Sequence, residues 1–204
     1  AMISTYVDHG QGEKALHLYK QMQHEGIQPN ELTYAMSLQA CGILAESEES
    51  CLLEGQLIKA NSLQIGQTLH GDVRAKGLDS DVFVGTALLS MYGKCRAITE
   101  AESAFFSLSQ QDVVAWNALM SAYVQHGDIG KVFDLFQQML LEGVEPDRVT
   151  FLNVLKVCSI FGDLSIGLLV HCLVLQLGLM KDIFIGSVLV EMYCSLGCPD
   201  YAYQ

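Results

Sequence analysis

The chain has 204 residues, of which 50% are hydrophobic, and its 11 basic and 23 acidic residues give a formal net charge of −12. This length and apolar content suit one or two compact domains or one elongated array. The acidic balance argues against binding to nucleic acid or anionic lipid mainly through a basic surface. The seven cysteines include no C-x-x-C pair, which favours a reducing compartment.

The first predicted element is a unit at residues 1–30, which returns 117 residues later. The opening AMISTYVDHG reappears as ALMSAYVQHG at 118–127, and the match continues to Pro29 and Pro146. Agreement at one fixed offset over a whole unit indicates an architectural repeat.

The second unit, residues 31–81, returns at two different offsets. Its beginning matches the chain 117 residues on, whereas its end, from Ile65, matches 101 residues on. The difference predicts an insertion of about 16 residues between Gly42 and Ser62, where the acidic stretch ESEESCLLEGQ lies.

The third unit begins with VFVGTALLSMYGKC at Val82 and returns as IFIGSVLVEMYCSL at Ile183. The VFVG and IFIG tetrapeptides are strand-like, but each stands where a unit's first helix should begin, so we predict helix for both. The complete array then reads 1–30, 31–81, 82–112, 113–147, 148–182 and 183–204.

Each unit has the pattern of two amphipathic helices. In 113–147, apolar residues recur at helical spacing from Trp116 to Val124 and again from Val132 to Leu140. Between the helices, Asp128 is expected to cap the second one, and Gly143 and Pro146 are expected to end it. Stacked hairpins of this kind predict an all-α fold, a right-handed α-solenoid superhelix. The most apolar run, LSIGLLVHCLVLQLGLM, is interrupted by polar residues and predicts a buried helix, not a membrane span.

These repeated sequence segments resemble the pentatricopeptide repeat family, and specifically its plant-type subclass in which P, L and S motifs alternate. VVAWNALMSAYVQHG with LFQQMLLEGVEPD is similar to a P motif, VTFLNVLKVCS with SIGLLVHCLVLQLGLMKD to an L motif, and VFVGTALLSMYGKC with TEAESAFFSLSQQD to an S motif. The W-x2-L-G-x2-Y pattern of tetratricopeptide repeats is not found. The array would then comprise a partial P motif, an L motif with the insertion, S, P and L motifs, and a partial S motif.

The resemblance implies modular binding of single-stranded RNA, one base per repeat. In this family the fifth and last residues of a motif face the base, and the second residues sandwich it. The implied base-reading residues are Asn30, Thr86, Asp112, Asn117, Asp147 and Ser187. The weaker L-motif positions are Ala35, Asp81, Leu152 and Asp182. The implied sandwiching residues are Leu32, Phe83, Val114, Val149 and Phe184.

The donors and acceptors of these pairs predict a sequence preference. A carboxylate only accepts, so a terminal Asp suits guanine and uracil, which present an N–H, whereas Asn can also donate to adenine or cytosine. Thr86 with Asp112 should select guanine, and Asn117 with Asp147 should select uracil, as the family's code also implies. Ala35 and Leu152 have no polar group, so their repeats should read weakly or only act as spacers. The expected footprint is A or C, any base, G, U, any base, purine.

The resemblance extends to organellar C-to-U RNA editing factors, so we expect a mitochondrial or chloroplast protein whose other partners include editing-complex proteins. The deaminase signature H-x-E with P-C-x-x-C is missing from this sequence. We therefore expect no catalytic residues and no cofactor here, and neither a membrane nor a small-molecule substrate as partner. Any deaminase would lie further along the protein or in a partner. Both ends fall inside a repeat, so we expect a fragment, and we expect any targeting peptide to lie upstream of residue 1.

Several residues also have simpler interpretations. Asn117 and Asp147 could serve only as helix-start and turn residues. The histidines pair off between repeats, which favours a scaffold role. Cys194 and Cys198 lie four residues apart and could bind a metal, but no further ligands lie nearby in the sequence, so no metal site is predicted. The alternative function is a helical scaffold that binds protein without RNA specificity.

Overall fold

The computed structural model describes residues 2–53 and 56–203, which are mainly helical and confirm the predicted all-α fold. The α-helices in these ranges are α1 (Met2–Asp8), α2 (Gly12–His24), α3 (Glu31–Ser47), α4 (Ala60–Ala75), α5 (Val82–Lys94), α6 (Ile98–Ser107), α7 (Val113–His126), α8 (Ile129–Leu141), α9 (Arg148–Phe161), α10 (Leu164–Gln176) and α11 (Ile183–Ser195). Short 3-10 helices cover Leu179–Lys181 and Pro199–Tyr203. In this part of the chain no helix is long and apolar enough to traverse a bilayer.

Helix ends follow the polar and glycine signals in the sequence. The VFVG and IFIG segments form the first turns of α5 and α11, as predicted, because each follows an Asp that caps the helix. The Asp128 side chain accepts a hydrogen bond from the backbone N–H of Lys131 and caps α8, also as predicted. Gly143 ends that helix in the left-handed region with φ of +75°, where a side chain would be strained.

The chain divides into two compact units, one ending at His126 and the other beginning at Gly127. In the first unit, α1, α3, α5 and α7 pack side by side, and α2, α4 and α6 pack against them. Phe105 and Trp116 meet edge to face with ring centroids 4.8 Å apart. Gly93 allows α5 and α7 to approach, since a Cβ there would lie 2.8 Å from the Ala122 Cβ. The unit is therefore a two-layer stack around a continuous apolar core.

In the second unit, α9 packs against α8, α10 and α11. Its core contains Phe151, which meets Phe136 edge to face at 6.1 Å between centroids, and the fully buried Leu155 and Tyr193. The contact of Phe151 with Phe136 joins the second helix of one hairpin to the first helix of the next, as expected for stacked helical repeats.

The described residues between Gly42 and Ser62 extend α3 and then form two short paired strands. Strands β1 (Cys51–Leu53) and β2 (Gln56–Ile58) are antiparallel, with Cys51 opposite Ile58. The Glu48 carboxylate accepts hydrogen bonds from the backbone N–H groups of Asn61 and Ser62, and so satisfies the start of α4. Burial alone would raise the pKa of Glu48, but the hydrogen bonds from Ser62 and Asn61 and the Lys59 ammonium hold it below its ordinary value.

Two histidines take the scaffold role that the sequence predicts. His70 Nδ1 lies 2.8 Å from the Tyr92 hydroxyl, and His171 Nδ1 lies 2.7 Å from the Tyr193 hydroxyl, 101 residues further on. Each pair joins the second helix of one unit to the first helix of the next. Burial lowers the pKa of both histidines, so both favour the neutral form.

Candidate functional site

The last residue of each unit is the N-cap of the following helix. The backbone N–H of Ala115 donates to Asp112 Oδ1 at 2.9 Å, and the N–H of Val84 donates to Asp81 Oδ1 at the same distance. Asn30, Asp147 and Asp182 cap α3, α9 and α11 in the same way. Within the described part of the chain, Oδ2 of Asp81 and of Asp112 accepts no hydrogen bond. These two residues therefore cap a helix with one oxygen and keep an acceptor for a further donor.

The second residue of each unit exposes an apolar side chain beside that cap. Leu32, Phe83, Val114, Val149 and Phe184 are between 44% and 63% exposed, although each lies in the first turn of a helix whose opposite face is core. Apolar side chains in such a position are not required by the fold, because the polar residues of an ordinary helix surface would serve equally well. Each forms a contact surface of the kind on which a base can stack.

The fifth residues differ in how much they expose. Thr86 is half-buried, and its hydroxyl donates to the Val82 carbonyl at 2.6 Å. Ser187 is exposed and donates to the Ile183 carbonyl at 2.8 Å. Both hydroxyl oxygens keep lone pairs for a donor from a ligand.

Two of the predicted positions are less accessible than the sequence suggested. The Asn117 side chain is 6% exposed, so a base reaches its amide only if neighbouring side chains move. Ala35, predicted as a weaker reading position, is 0% exposed because it packs in the helical core, so it offers a base no surface. Leu152 remains partly exposed but carries no polar group.

Three of the predicted residues lie close together at the N-terminal end of α5. Asp81 caps the helix, Phe83 projects from its first turn, and Thr86 follows one turn later. A carboxylate oxygen, an apolar surface and a hydroxyl therefore lie within about two helical turns, or roughly 10 Å, of each other.

Sequence reasoning missed Arg148, the first residue of α9. One guanidinium nitrogen lies 3.5 Å from Asp182 Oδ2, and the guanidinium carbon lies 5.3 Å from the centroid of the Phe184 ring. Arg148 thus touches two residues predicted to contact a base. One signal was available in the sequence. Among the units that start at residues 31, 82, 113, 148 and 183, only the unit at 148 begins with a basic residue, whereas the others begin with Glu, Val, Val and Ile.

Two titratable groups outside this surface, Tyr92 and Cys158, belong to packing. Burial raises the pKa of Tyr92 and of Cys158, in each case to about 12, and both side chains lie in helical interfaces. Across residues 2–53 and 56–203, no three His, Cys, Asp or Glu side chains are grouped as metal ligands. All seven cysteines, including Cys194 and Cys198, are free thiols.

Comparison with known proteins identifies the repeats. A model of the pentatricopeptide repeat family matches residues 1–42 and 111–159, the P-like units and the segments that follow them. These segments belong to the pentatricopeptide repeat family. Among curated pentatricopeptide repeat-containing proteins of Arabidopsis thaliana, one is 31% identical over 203 residues, which are 99% of this chain and 22% of that protein. Two others, one chloroplastic and one mitochondrial, are each 32% identical over 197 residues, and the chain spans 34% and 18% of their lengths.

Solved pentatricopeptide repeat structures agree with the fold. The crystal structure of the protein PPR10 from maize matches 99% of this chain with a TM-score of 0.59 and 16% identity, and the match covers 32% of PPR10. PPR10 in complex with an 18-nt psaJ RNA element matches equally well, with 33% of that chain covered. The predicted α-solenoid fold is therefore confirmed. The chain spans between about a fifth and a third of the relatives that it matches.

Proposed function

We propose that this chain binds single-stranded RNA with one nucleotide per repeat, in a P, L and S alternation. The observation that carries the proposal is the recurring pair of an exposed apolar side chain and a capping Asp or Asn at the first helix of five successive repeats. Stacking on the apolar side chain would supply affinity, and the second oxygen of a capping Asp, or the amide nitrogen of Asn30, would supply selectivity. The RNA-bound structure of PPR10 supports the same partner.

The strongest predicted reading lies at repeat 82–112, and the next repeat, 113–147, reads a base only once the buried Asn117 amide is uncovered. Thr86 with Asp112 reads guanine, because the carboxylate accepts from one base N–H while the Thr86 hydroxyl oxygen, which donates its hydrogen to Val82, can accept from another. Asn117 with Asp147 reads uracil. Asn30 favours adenine or cytosine at the first nucleotide, and Ser187 favours a purine at the sixth.

Charge limits the affinity of this binding. With 11 basic against 23 acidic residues, the chain gains little from neutralising phosphates. Affinity then depends on stacking and hydrogen bonds, so the chain alone binds RNA weakly compared with basic RNA-binding domains.

At the level of the whole protein, we propose the RNA-targeting segment of a C-to-U editing factor in a mitochondrion or chloroplast. The alternation of motif lengths supports the subclass, and the printed names of a chloroplastic and a mitochondrial relative support an organelle. The described surface provides recognition, whereas deamination would come from another part of the protein or from a partner.

The test is a comparison of two RNAs that differ only in the order of two nucleotides. One carries guanine then uracil at the third and fourth positions of the predicted footprint, and the other carries uracil then guanine. Fluorescence anisotropy should show tighter binding to the first by about tenfold or more, since each position contributes one or more selective hydrogen bonds. Equal binding to both RNAs would contradict base reading at these repeats.

A helical scaffold that binds protein is the second candidate, and α10 favours it. Leu169, Leu175 and Leu177, in and just after α10, are 64%, 53% and 48% exposed, so the segment predicted as a buried helix instead places apolar side chains on the surface of the second unit. The equivalent residues 101 positions earlier are Thr68, Arg74 and Lys76, so the repeat itself does not require leucine there. Under this function the two RNAs would bind equally or not at all.

A further inference from the structure

The repeat at 148–182 contains a contact that the code for reading bases does not include. Arg148, its first residue, pairs with Asp182, its last residue, at 3.5 Å, and lies over the Phe184 ring at 5.3 Å. In the proposed function, Asp182 would read the base of this repeat and Phe184 would stack on it. Arg148 therefore already contacts both side chains with which the base would interact.

We propose that Arg148 closes the base site of repeat 148–182, so that this repeat spans one nucleotide of RNA without selecting it. This inference rests on the proposed function and assigns a specificity role to a residue outside the fifth and last positions. A guanidinium plane can stack on an aromatic ring and pair with a carboxylate at the same time, which is the geometry that a base would otherwise adopt.

The hydrogen bonds of the cap complete the closure. Asp182 Oδ1 accepts from the backbone N–H groups of Phe184 and Ile185, at 2.9 Å and 3.3 Å, and Oδ2 faces Arg148. Both oxygens of this carboxylate are therefore engaged. At Asp112 only Oδ1 is engaged within the described residues, by the N–H of Ala115. The two caps thus differ in the one acceptor that a base requires.

The exposure of Arg148 and Asp182 indicates that the closure can be removed by substitution without unfolding the repeat. The Arg148 side chain is 52% exposed and the Asp182 side chain is 22% exposed, so their pair stabilises the fold little and substitution should leave the helices intact. Leu152, the fifth residue of the repeat, cannot replace the arginine as a donor. At the first L-like repeat the residue equivalent to Arg148 is Glu31, which cannot pair with a carboxylate.

The test measures selectivity at the fifth nucleotide of the footprint. Four short fluorescent RNAs with the predicted footprint differ only at that nucleotide, and their dissociation constants are compared for the natural chain and for Arg148→Ala. The natural chain should bind the four within about twofold of each other. Arg148→Ala should prefer guanine and uracil over adenine and cytosine by about 3- to 10-fold, because one released acceptor adds one hydrogen bond.

Two further variants separate closure from charge and from structure. Arg74→Ala removes an equally basic residue, 68% exposed on α4, and should leave the fifth nucleotide unselected. Asp182→Asn in the Arg148→Ala background keeps an oxygen for the cap and gains a donor, so the preference should move to adenine and cytosine.

Two results would overturn the closure while leaving the proposed function standing. In the first, the fifth nucleotide stays unselected in Arg148→Ala although the third and fourth still discriminate. In the second, the natural chain already selects a base there and loses that selection with Arg148→Ala, which would make Arg148 a reading residue. If no nucleotide is discriminated by any variant, the proposed function itself fails and the closure fails with it.

Discussion

Asp112 accepts the backbone N–H of Ala115 at 2.9 Å, so the residue proposed to read a base also starts helix α7. The two roles can be separated by substitution. Asp112→Asn keeps an oxygen for the cap and replaces the second acceptor by an amide donor. We expect the melting temperature to stay within a few degrees of the natural value while preference at the third nucleotide moves from guanine to adenine, measured by thermal denaturation and anisotropy.

The matched control is Asp112→Ala, which removes both functions. It should lower the free energy of unfolding by about 1 kcal/mol, the usual effect of losing an N-cap, and should abolish selection at that nucleotide. If Asp112→Asn still preferred guanine with its fold intact, the carboxylate would be only a cap.

Two exposed phenylalanines differ in their predicted roles. Phe83 is 51% exposed at the start of α5, whereas Phe106 is 66% exposed on α6, away from any unit's second residue. Phe83→Ala should weaken RNA binding by about 1 to 3 kcal/mol through lost stacking, whereas Phe106→Ala should leave affinity unchanged. Isothermal titration calorimetry measures both. Equal losses would indicate non-specific apolar contact with RNA.

The two histidine–tyrosine pairs predict a pH dependence of stability. Burial, aided by the Arg74 guanidinium and opposed by Asp79, lowers the pKa of His70, and burial lowers that of His171. The unfolded chain then binds more protons than the folded protein below the ordinary histidine pKa of about 6.5. Stability should be fully present above that pH and should fall as the pH drops from about 6.5 towards the lowered values.

Melting temperatures recorded between about pH 7 and pH 5 check this expectation. Replacing His70 and His171 by Gln should flatten the curve in that window. An unchanged slope in the double variant would place the titrating groups elsewhere.

Salt dependence gives an independent prediction about how RNA is held. Each phosphate neutralised on a single strand adds about 0.7 to the slope of log affinity against log salt concentration. Because the chain carries only 11 basic residues and a net charge of −12, we expect a slope shallower than about 2. A steep slope in anisotropy titrations would show that phosphate contacts dominate.

The internal sequence repeat explains why the helix starts could be predicted from the sequence. Asp81 and Asp182 precede strand-like tetrapeptides, yet both tetrapeptides are helical because the repeated position and its cap outweigh local β-propensity. The recurrence of His70 as His171 predicted a scaffold role, but their partners, Tyr92 and Tyr193, were identified only in the structure.

Features without an internal copy were not predictable in the same way. The paired strands β1 and β2 and the Glu48 cap lie in the insertion, which has no counterpart elsewhere in the chain. The burial of Asn117 and the position of Arg148 over Phe184 depend on side-chain packing and rotamers, which periodicity does not determine. The predicted site is therefore best defined by backbone position and least defined by side-chain exposure.

The most direct measurement is the base preference of Asn117→Thr at the fourth nucleotide of the footprint. This substitution gives repeat 113–147 the same reading pair as repeat 82–112. If successive repeats read successive bases, preference at that nucleotide alone should move from uracil to guanine in anisotropy titrations, with the third nucleotide unchanged. A variant that folds normally but keeps its preference for uracil, or has none at any position, would contradict reading of one base per repeat.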